Sequence, residues 1–427
     1  MRRGYLASLA IIIFLTGCGS DNDSQVISCT PKLSPGRAVH LETEVRFDLA
    51  HRPGELLVFG DHSPKLSEAV RSLGAKEAER LPGGALYRVT GSLEFAAHEF
   101  RRSGATLVQP NYLYRLQQTP NDPLYTEQRP TSLQMGLEAA WDTEDGTSCP
   151  PRIAVLDDGI DPNHPDLAQV LRLDFTGLDV ADRDSDPTHG PLGGHGSQVA
   201  GLAAAQSQNQ EGIAGVTWGG EIVPIKVFGD DGVGTSATVA RGVERARELN
   251  AQIINLSLCL TDADNQCSAA IDPAIEREIE RARSEGRLVV AAAGNTRGPV
   301  SYPGTSPNVV AVGSVNLAGQ VANFSARGQG VHLYAPGGDT TENDALTEGI
   351  ITTEAYGGYQ YVAGTSFSSA LVSGGSALIY SLYAAESGRW PSPDLVVSCL
   401  SQTAEPFGQS GGRVRLDQAL RCAQTEF

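Results

Sequence analysis

Arg152-Ile153-Ala154-Val155-Leu156-Asp157-Asp158-Gly159 is the stretch on which the fold reading turns. Arg152–Leu156 predicts a short strand without a polar face, and a strand of that kind is buried on both sides. The two carboxylates and the glycine that follow predict a turn just past its carboxyl end. The pattern recurs at Ile222–Val227, Gln252–Leu256, Leu288–Ala292 and Val309–Gly313. Between these strands Val239, Val243, Ala246 and Asn250 follow helical spacing, as do Ile275, Ile279 and Ala282. Such alternation predicts an α/β fold with a mostly parallel sheet between helices. Chemistry in such sheets gathers beyond the carboxyl ends of the strands, which directs attention to Asp157.

Upstream, Glu55–Phe59, Ala85–Val89 and Thr106–Gln109 read as strands, and Leu66–Leu73 and Leu93–Arg102 as helices. Together they predict a small α+β domain over residues 53–118. The proline-punctuated segment Thr119–Pro130 reads as the junction to a large domain over 119–427. Charge divides at the same place. The chain carries 32 basic and 50 acidic residues, a net charge of −18. Residues 1–118 hold 14 basic and 12 acidic residues, and residues 119–427 hold 18 and 38. A balance this acidic excludes nucleic acid as a partner, since phosphates are neutralised by Lys and Arg. An apolar fraction of 40% with 19% charged residues excludes a disordered chain.

Arg2 and Arg3 precede an apolar run, Tyr5–Leu15, too short to span a bilayer but suited to a signal-peptide core. It ends in Leu15-Thr16-Gly17-Cys18, which resembles the processing box of bacterial lipoproteins. That resemblance implies a signal peptide over residues 1–17, a lipid on Cys18, a tether over 18–52 and membrane attachment through the lipid. Arg2-Arg3-Gly4-Tyr5-Leu6 also resembles a twin-arginine signal, so the export route stays open. Of 7 cysteines, those other than Cys18 are even in number, which in an exported protein suggests disulfides, although 15 pairings are open to them. Cys259 with Cys267 would close a local loop, Cys399 with Cys422 would staple the C-terminal region, and Cys29 would remain for Cys149. No Cys-x-x-Cys spacing points to zinc.

Three motifs carry the chemistry: Asp157-Asp158-Gly159, Gly-His-Gly-Ser-Gln-Val-Ala-Gly over Gly194–Gly201, and Gly-Thr-Ser-Phe-Ser-Ser-Ala over Gly364–Ala370. Singly, each is ordinary turn or cap sequence. In the order Asp, His, Ser they describe a nucleophile, a base and the group that orients the base. With these motifs the sequence resembles the subtilisin-like serine peptidases over about residues 119–425. The resemblance implies their three-layer domain, hydrolysis of peptide bonds in proteins or peptides, and Asp157, His195 and Ser366 as the triad. Leu288–Ala293 leads into Gly294-Asn295, similar to the family's oxyanion asparagine. Ser257-Leu258-Cys259, together with Gly294, resembles the edge along which substrate pairs as an added strand.

The sequence departs from the family pattern in places. Asp158 stands where Thr or Ser is frequent, Gln198 replaces a second His, Phe367 replaces a frequent Met, and Ala370 occupies a usual Pro position. Cys259 places a side chain where the family keeps none, and so alters the substrate edge.

Asp179, Asp182, Asp184, Asp186 and Thr188 form an oxygen-rich loop just ahead of the His motif. Clustered hard oxygens suit calcium, and the loop resembles a calcium site of thermitase-like members. A second site is implied by resemblance alone: Asp122, Asp166 and Asn209, with carbonyls near Gln206, Glu211 and Ile213. Residues 54–116 resemble the family's inhibitory propeptide, which implies an intramolecular inhibitor released by cleavage near Leu116–Thr119. The combined expectation is an exported, lipid-anchored serine endopeptidase of the cell envelope, made as a zymogen and supported by calcium. Two other readings use the same fold: a catalytically silent surface-binding lipoprotein, and an esterase-like acyl hydrolase.

Overall fold

A computed structural model describes residues 45–47, 51–113 and 119–426, apart from 62, 173, 175, 176, 185, 192, 408 and 409. The expected signal segment, Cys18, Cys29, most of the tether, residues 114 and 115, and residues 116–118 of the expected cleavage region lie outside the described residues. The chain divides into two compact units, Met1–Tyr114 and Arg115–Phe427.

Among its described residues, the first unit has a four-stranded antiparallel sheet and two helices. Its strands are β1 (His51–Phe59), β2 (Lys76–Leu81), β3 (Gly84–Arg88) and β4 (Leu107–Tyr112), in the order β2-β3-β1-β4. Helices α1 (Pro64–Ser72) and α2 (Leu93–Arg102) start where Ser63 and Ser92 accept hydrogen bonds from the N–H groups of Leu66 and Phe95. Such caps satisfy donors that the first turn cannot. Leu56, Val58, Tyr87, Phe100 and Val108 form the core. Strand β2, Lys-Glu-Ala-Glu-Arg-Leu, is absent from the sequence expectation because no apolar alternation marks it. It is an exposed edge strand held by backbone pairing to β3.

In the second unit, β5 (Arg152–Asp157), β6 (Glu221–Lys226), β7 (Ile253–Leu256), β8 (Leu288–Ala292), β9 (Val310–Val315) and β10 (Leu333–Pro336) lie in the order β6-β5-β7-β8-β9-β10, all parallel. Two short segments, Gly412–Arg413 and Glu405–Pro406, extend the far edge, the last of them antiparallel. This is the mostly parallel α/β sheet that the alternation predicts. The expected boundaries move by a residue or two, and β10 was not expected, its buried run being short and ending in Pro336.

Helices α3 (Tyr125–Met135), α4 (Leu137–Trp141), α5 (His195–Ala204) and α8 (Thr365–Ser387) share a core with Ile153 and Val155. Helices α6 (Ser236–Glu248) and α7 (Pro273–Ser284) share another with Ala154 and Leu156. Alternate residues of β5 therefore serve two different helical layers, which is why the strand shows no polar face. The expected extension of α6 to Asn250 fails: the helix ends at Glu248 and Asn250 has φ 57°, outside helical space. Helix α8 runs 23 residues through the interior, close against α5. A Cβ at its Gly374 would lie 2.5 Å from the Ala203 carbonyl oxygen, so only glycine permits this approach. Among the described residues no helix is long and apolar enough to cross a membrane.

Candidate active site

Strand β5 is buried along nearly its whole length and delivers Asp157, 3% exposed, at its carboxyl end. Helix α5 opens with His195, and Gly196 lets it approach: a Cβ there would lie 2.1 Å from the Gly159 carbonyl oxygen. His195 Nδ1 lies 2.8 Å from Asp157 Oδ1. Asp157 Oδ1 also accepts the Asp158 N–H at 2.9 Å. With its Nδ1 proton donated to the carboxylate, the imidazole keeps Nε2 as a free acceptor. Burial pushes the Asp157 carboxyl up, and the His195 charge works against that rise. For His195, burial disfavours the cation, but the charge and hydrogen bond of Asp157, with Asp158 behind them, outweigh it and raise the imidazole above its ordinary value.

Ser366 is the second residue of α8 and is half-buried. Its hydroxyl donates to the Ser257 carbonyl at 3.4 Å, and the Ser257 hydroxyl returns a bond to the Ser366 carbonyl at 3.0 Å. Asn255, fully buried, donates to Ser257 Oγ at 2.8 Å and accepts from the Ser373 hydroxyl at 2.9 Å. The end of β7 is thereby clamped to the start of α8. The His195 ring packs 5.5 Å from that of Phe367, which follows Ser366. Thus the Ser366 hydroxyl is turned toward Ser257 rather than hydrogen-bonded to the imidazole. Rotation about one side-chain bond redirects such a hydroxyl, and hydrogen bonds of this kind often tighten only when substrate is present.

Past β8, exposed Asn295 is held by its oxygen: Oδ1 accepts the N–H of Thr365 at 3.0 Å and its hydroxyl at 2.8 Å. The Gly294 N–H in turn donates to Thr365 Oγ1 at 3.2 Å. Both lone-pair directions are used, so Nδ2 is the outward donor. Beside His195 lies a cavity of about 360 Å³ bounded by Asp157, Phe228, Ser257, Leu258 and Cys259. Residues 151–418 match the Subtilase family. The chain is a member of the subtilase family.

Relatives of this subtilase agree with the assignment. A thermophilic serine proteinase of a Bacillus species is 35% identical over 278 residues, 64% of this chain and 62% of its own length. Thermitase of Thermoactinomyces vulgaris is 31% identical over 309 residues, 71% of this chain and 99% of thermitase. A solved protease structure from Pseudoalteromonas arctica matches with a TM-score of 0.62 at 30% identity, over 72% of this chain and all of that one.

In the subtilase the acidic loop ahead of α5 meets a cation of its own. Lys226, at the end of β6 and 1% exposed, places Nζ 3.4 Å from Asp179 Oδ2 and 3.1 Å from Asp230 Oδ1, and bonds Asp182 as well. Burial disfavours the ammonium, but the hydrogen bonds to Asp182 and Asp230 and the Asp179 charge hold its pKa above the ordinary lysine value. Asp184 and Asp186 are exposed and turn back on their own loop, accepting the N–H groups of Asp186 and Thr188. Of the residues expected to hold calcium, Asp179, Asp182, Asp184, Asp186 and Thr188, the first two converge on this ammonium, while Asp184 and Asp186 turn to backbone N–H groups of their own loop. Among the described residues no group of three or more His, Cys, Asp or Glu is arranged to hold a metal ion.

Asp122, Asp166 and Asn209 do come together. Asp122 accepts the Gln208 and Asn209 N–H groups, and Asp166 accepts Asn209 Nδ2 at 2.8 Å, the Ile213 N–H at 2.8 Å and the Tyr359 hydroxyl at 3.0 Å. Asp122 is 4% exposed and Asp166 fully buried. Burial foremost, with Asp166 adding, pushes the Asp122 carboxyl up, and burial with these same acids pushes the Tyr359 hydroxyl up. Two adjacent buried carboxylates that meet no cationic side chain among the described residues are a donor set that fits a hard divalent cation.

Cys259–Cys267 and Cys399–Cys422 form disulfides, the first on the rim of the cavity. Cys149 is unpaired among the described residues, and its expected partner Cys29 lies outside them. Sequence reading missed three residues that shape the site: Thr365, which orients Asn295; Lys226; and Asp158, which it treated only as a departure. Thr365 lay inside the serine motif, but nothing in the order of residues tied it to Asn295.

Proposed function

We propose that the protein is an exported serine endopeptidase that cleaves peptide bonds with Ser366 as nucleophile. The observation carrying this reading is the hydrogen bond from half-buried His195 to buried Asp157, beside an open cavity whose wall, at Ser257, holds the Ser366 hydroxyl. Substrate in extended form adds as a strand along Ser257-Leu258-Cys259, with Gly294 opposite. Ser366 Oγ attacks the scissile carbonyl as His195 Nε2 takes its proton. Asp157 holds the tautomer and stabilises the imidazolium without itself taking the proton. The tetrahedral oxyanion accepts from Asn295 Nδ2 and from the Ser366 N–H, one of the first-turn donors that a helix leaves unpaired. His195 then protonates the leaving amine, and water repeats the cycle to release the acyl group.

Residues 53–118 serve as the inhibitory propeptide in this reading, and Cys18 as the lipid anchor of a cell-envelope protein. Two disulfides agree with an oxidising compartment. Asp122, Asp166 and Asn209 would hold calcium, which there supplies structural charge balance and takes no part in bond cleavage. Labelling with a serine-reactive phosphonate tests the nucleophile. Wild type is expected to label and to hydrolyse a peptide amide, and Ser366→Ala to do neither, with turnover down about 10⁶-fold. Equal labelling of both proteins would overturn the assignment.

A further inference from the structure

Helix α5 begins at His195 with Gly194 as its N-cap, and glycine has no side chain with which to satisfy the first-turn N–H groups. Asp158 supplies the cap from the end of β5. Its Oδ2 accepts the Gly194 N–H at 2.9 Å and the His195 N–H at 3.1 Å, and its Oδ1 accepts the Gly196 N–H at 2.8 Å. Both oxygens of one half-buried carboxylate are spent on the turn that carries the imidazole. We infer that Asp158 is a positioning residue for His195: it anchors the start of α5 and sets a negative charge against the helix end, so that the imidazolium formed during turnover is stabilised. The inference rests on His195 being the base, as proposed above.

The physical need is specific to this position. A helix N-terminus carries about half a positive charge, which opposes a cation in its first turn. His195 occupies that first turn and must become a cation, so an uncapped α5 would work against its own base. A carboxylate bonded to three of these N–H groups reverses the sign of the local field. It contributes to raising the imidazole, after Asp157.

The other groups around the ring do not compete. From α8 come uncharged Ser366 and Phe367, and Asp230 across the cavity is paired with Lys226. His189, ahead of α5, stacks edge-on against Tyr356 at 5.0 Å. Among the described residues, Asp157 Oδ2 is buried without a hydrogen-bond partner.

The test is Asp158→Asn in the full chain. The amide keeps one acceptor oxygen for the helix end and removes the charge. The acid limb of the kcat/KM–pH profile is expected to move down by about 0.5–1 pH unit, because the imidazole stays neutral to lower pH. A fall in kcat of about tenfold with KM little changed is expected beside it. An NMR titration of the His195 ring in the Ser366→Ala background reads the same shift without any turnover, so it separates this inference from the assignment of Ser366. If Asp158→Asn fails to fold, Asp158→Ser, whose hydroxyl still accepts one N–H, takes its place. A folded variant whose His195 titrates as in wild type overturns the inference.

Discussion

Asp157 and Lys226 are register partners at the carboxyl ends of adjacent parallel strands, and each is committed to a different buried charge. Asp157 orients His195, while Lys226 gathers Asp179, Asp182 and Asp230. Both side chains are nearly inaccessible, so neither charge could persist without its partners. The acidic loop and His195 are thus supported from neighbouring strand ends.

Replacing Lys226 with Met should destabilise the protein by about 3–5 kcal/mol, the usual consequence of removing one member of a buried ion pair. Asp179 carries most of this, being buried, since Asp182 and Asp230 reach solvent. The native lysine pKa is raised, so its contribution is fully present below about pH 10 and lost only as pH climbs through the native value. Thermal denaturation at neutral pH checks this, and an unchanged melting temperature would show that the ammonium is not the counter-charge.

Calcium should raise the melting temperature and a chelator should lower it. At a hundredfold excess over Kd the gain is about 2.7 kcal/mol. The Asp122 pKa is raised, so the folded chain binds that proton more tightly than the unfolded one. Without a cation, stability therefore falls as pH rises through the native value. Calcium requires the deprotonated carboxylate, so its benefit should fade on acidification toward about pH 4. Asp166→Asn should abolish the gain. A calcium titration that leaves the wild-type melting curve in place refutes the site.

Thr365→Val keeps the backbone N–H bond to Asn295 but removes the hydroxyl that donates to Asn295 and accepts from Gly294. A looser amide should lower kcat about tenfold. Asn295→Ala, which removes the donor itself, should cost about 10²–10³. Steady-state kinetics with a peptide amide distinguish the two, and KM should hold steady in both.

The disulfides should differ in what their loss affects. Opening Cys399–Cys422, with a sequence separation of 23, should cost about 3.4 kcal/mol by loop entropy. Opening Cys259–Cys267, with a separation of 8, should cost about 2.5 kcal/mol. Because Cys259 borders the cavity, paired serine replacement there should also raise KM, whereas the distant pair should leave it alone. Melting curves and KM values for the two double variants test this contrast.

Elements with strong local signatures are legible in the sequence. The core strands β5 to β9 declare themselves as apolar runs, and α6 and α7 as amphipathic repeats. Edge strand β2 does not, because nothing on either face is buried and its only support is a neighbour's backbone. Among the candidate site residues, Asp157 and His195 stood out through motif order, and the structure places them in contact. In the acidic loop, carboxylate spacing reveals clustering but not the lysine that the loop meets. Lys226 sits 44 residues along from Asp182 and looks like the end of an ordinary strand.

By itself the sequence determined the alternation of strand and helix, and with it the parallel sheet and the strand end where chemistry gathers. Those features follow from burial patterns and turn residues, which act over a few positions. The tertiary structure alone decided which polar groups face which: Lys226 against Asp179, Asp158 against the start of α5, Thr365 against Asn295. These pairings join residues far apart in the chain, and their energies depend on distance and burial. Residue order carries neither quantity.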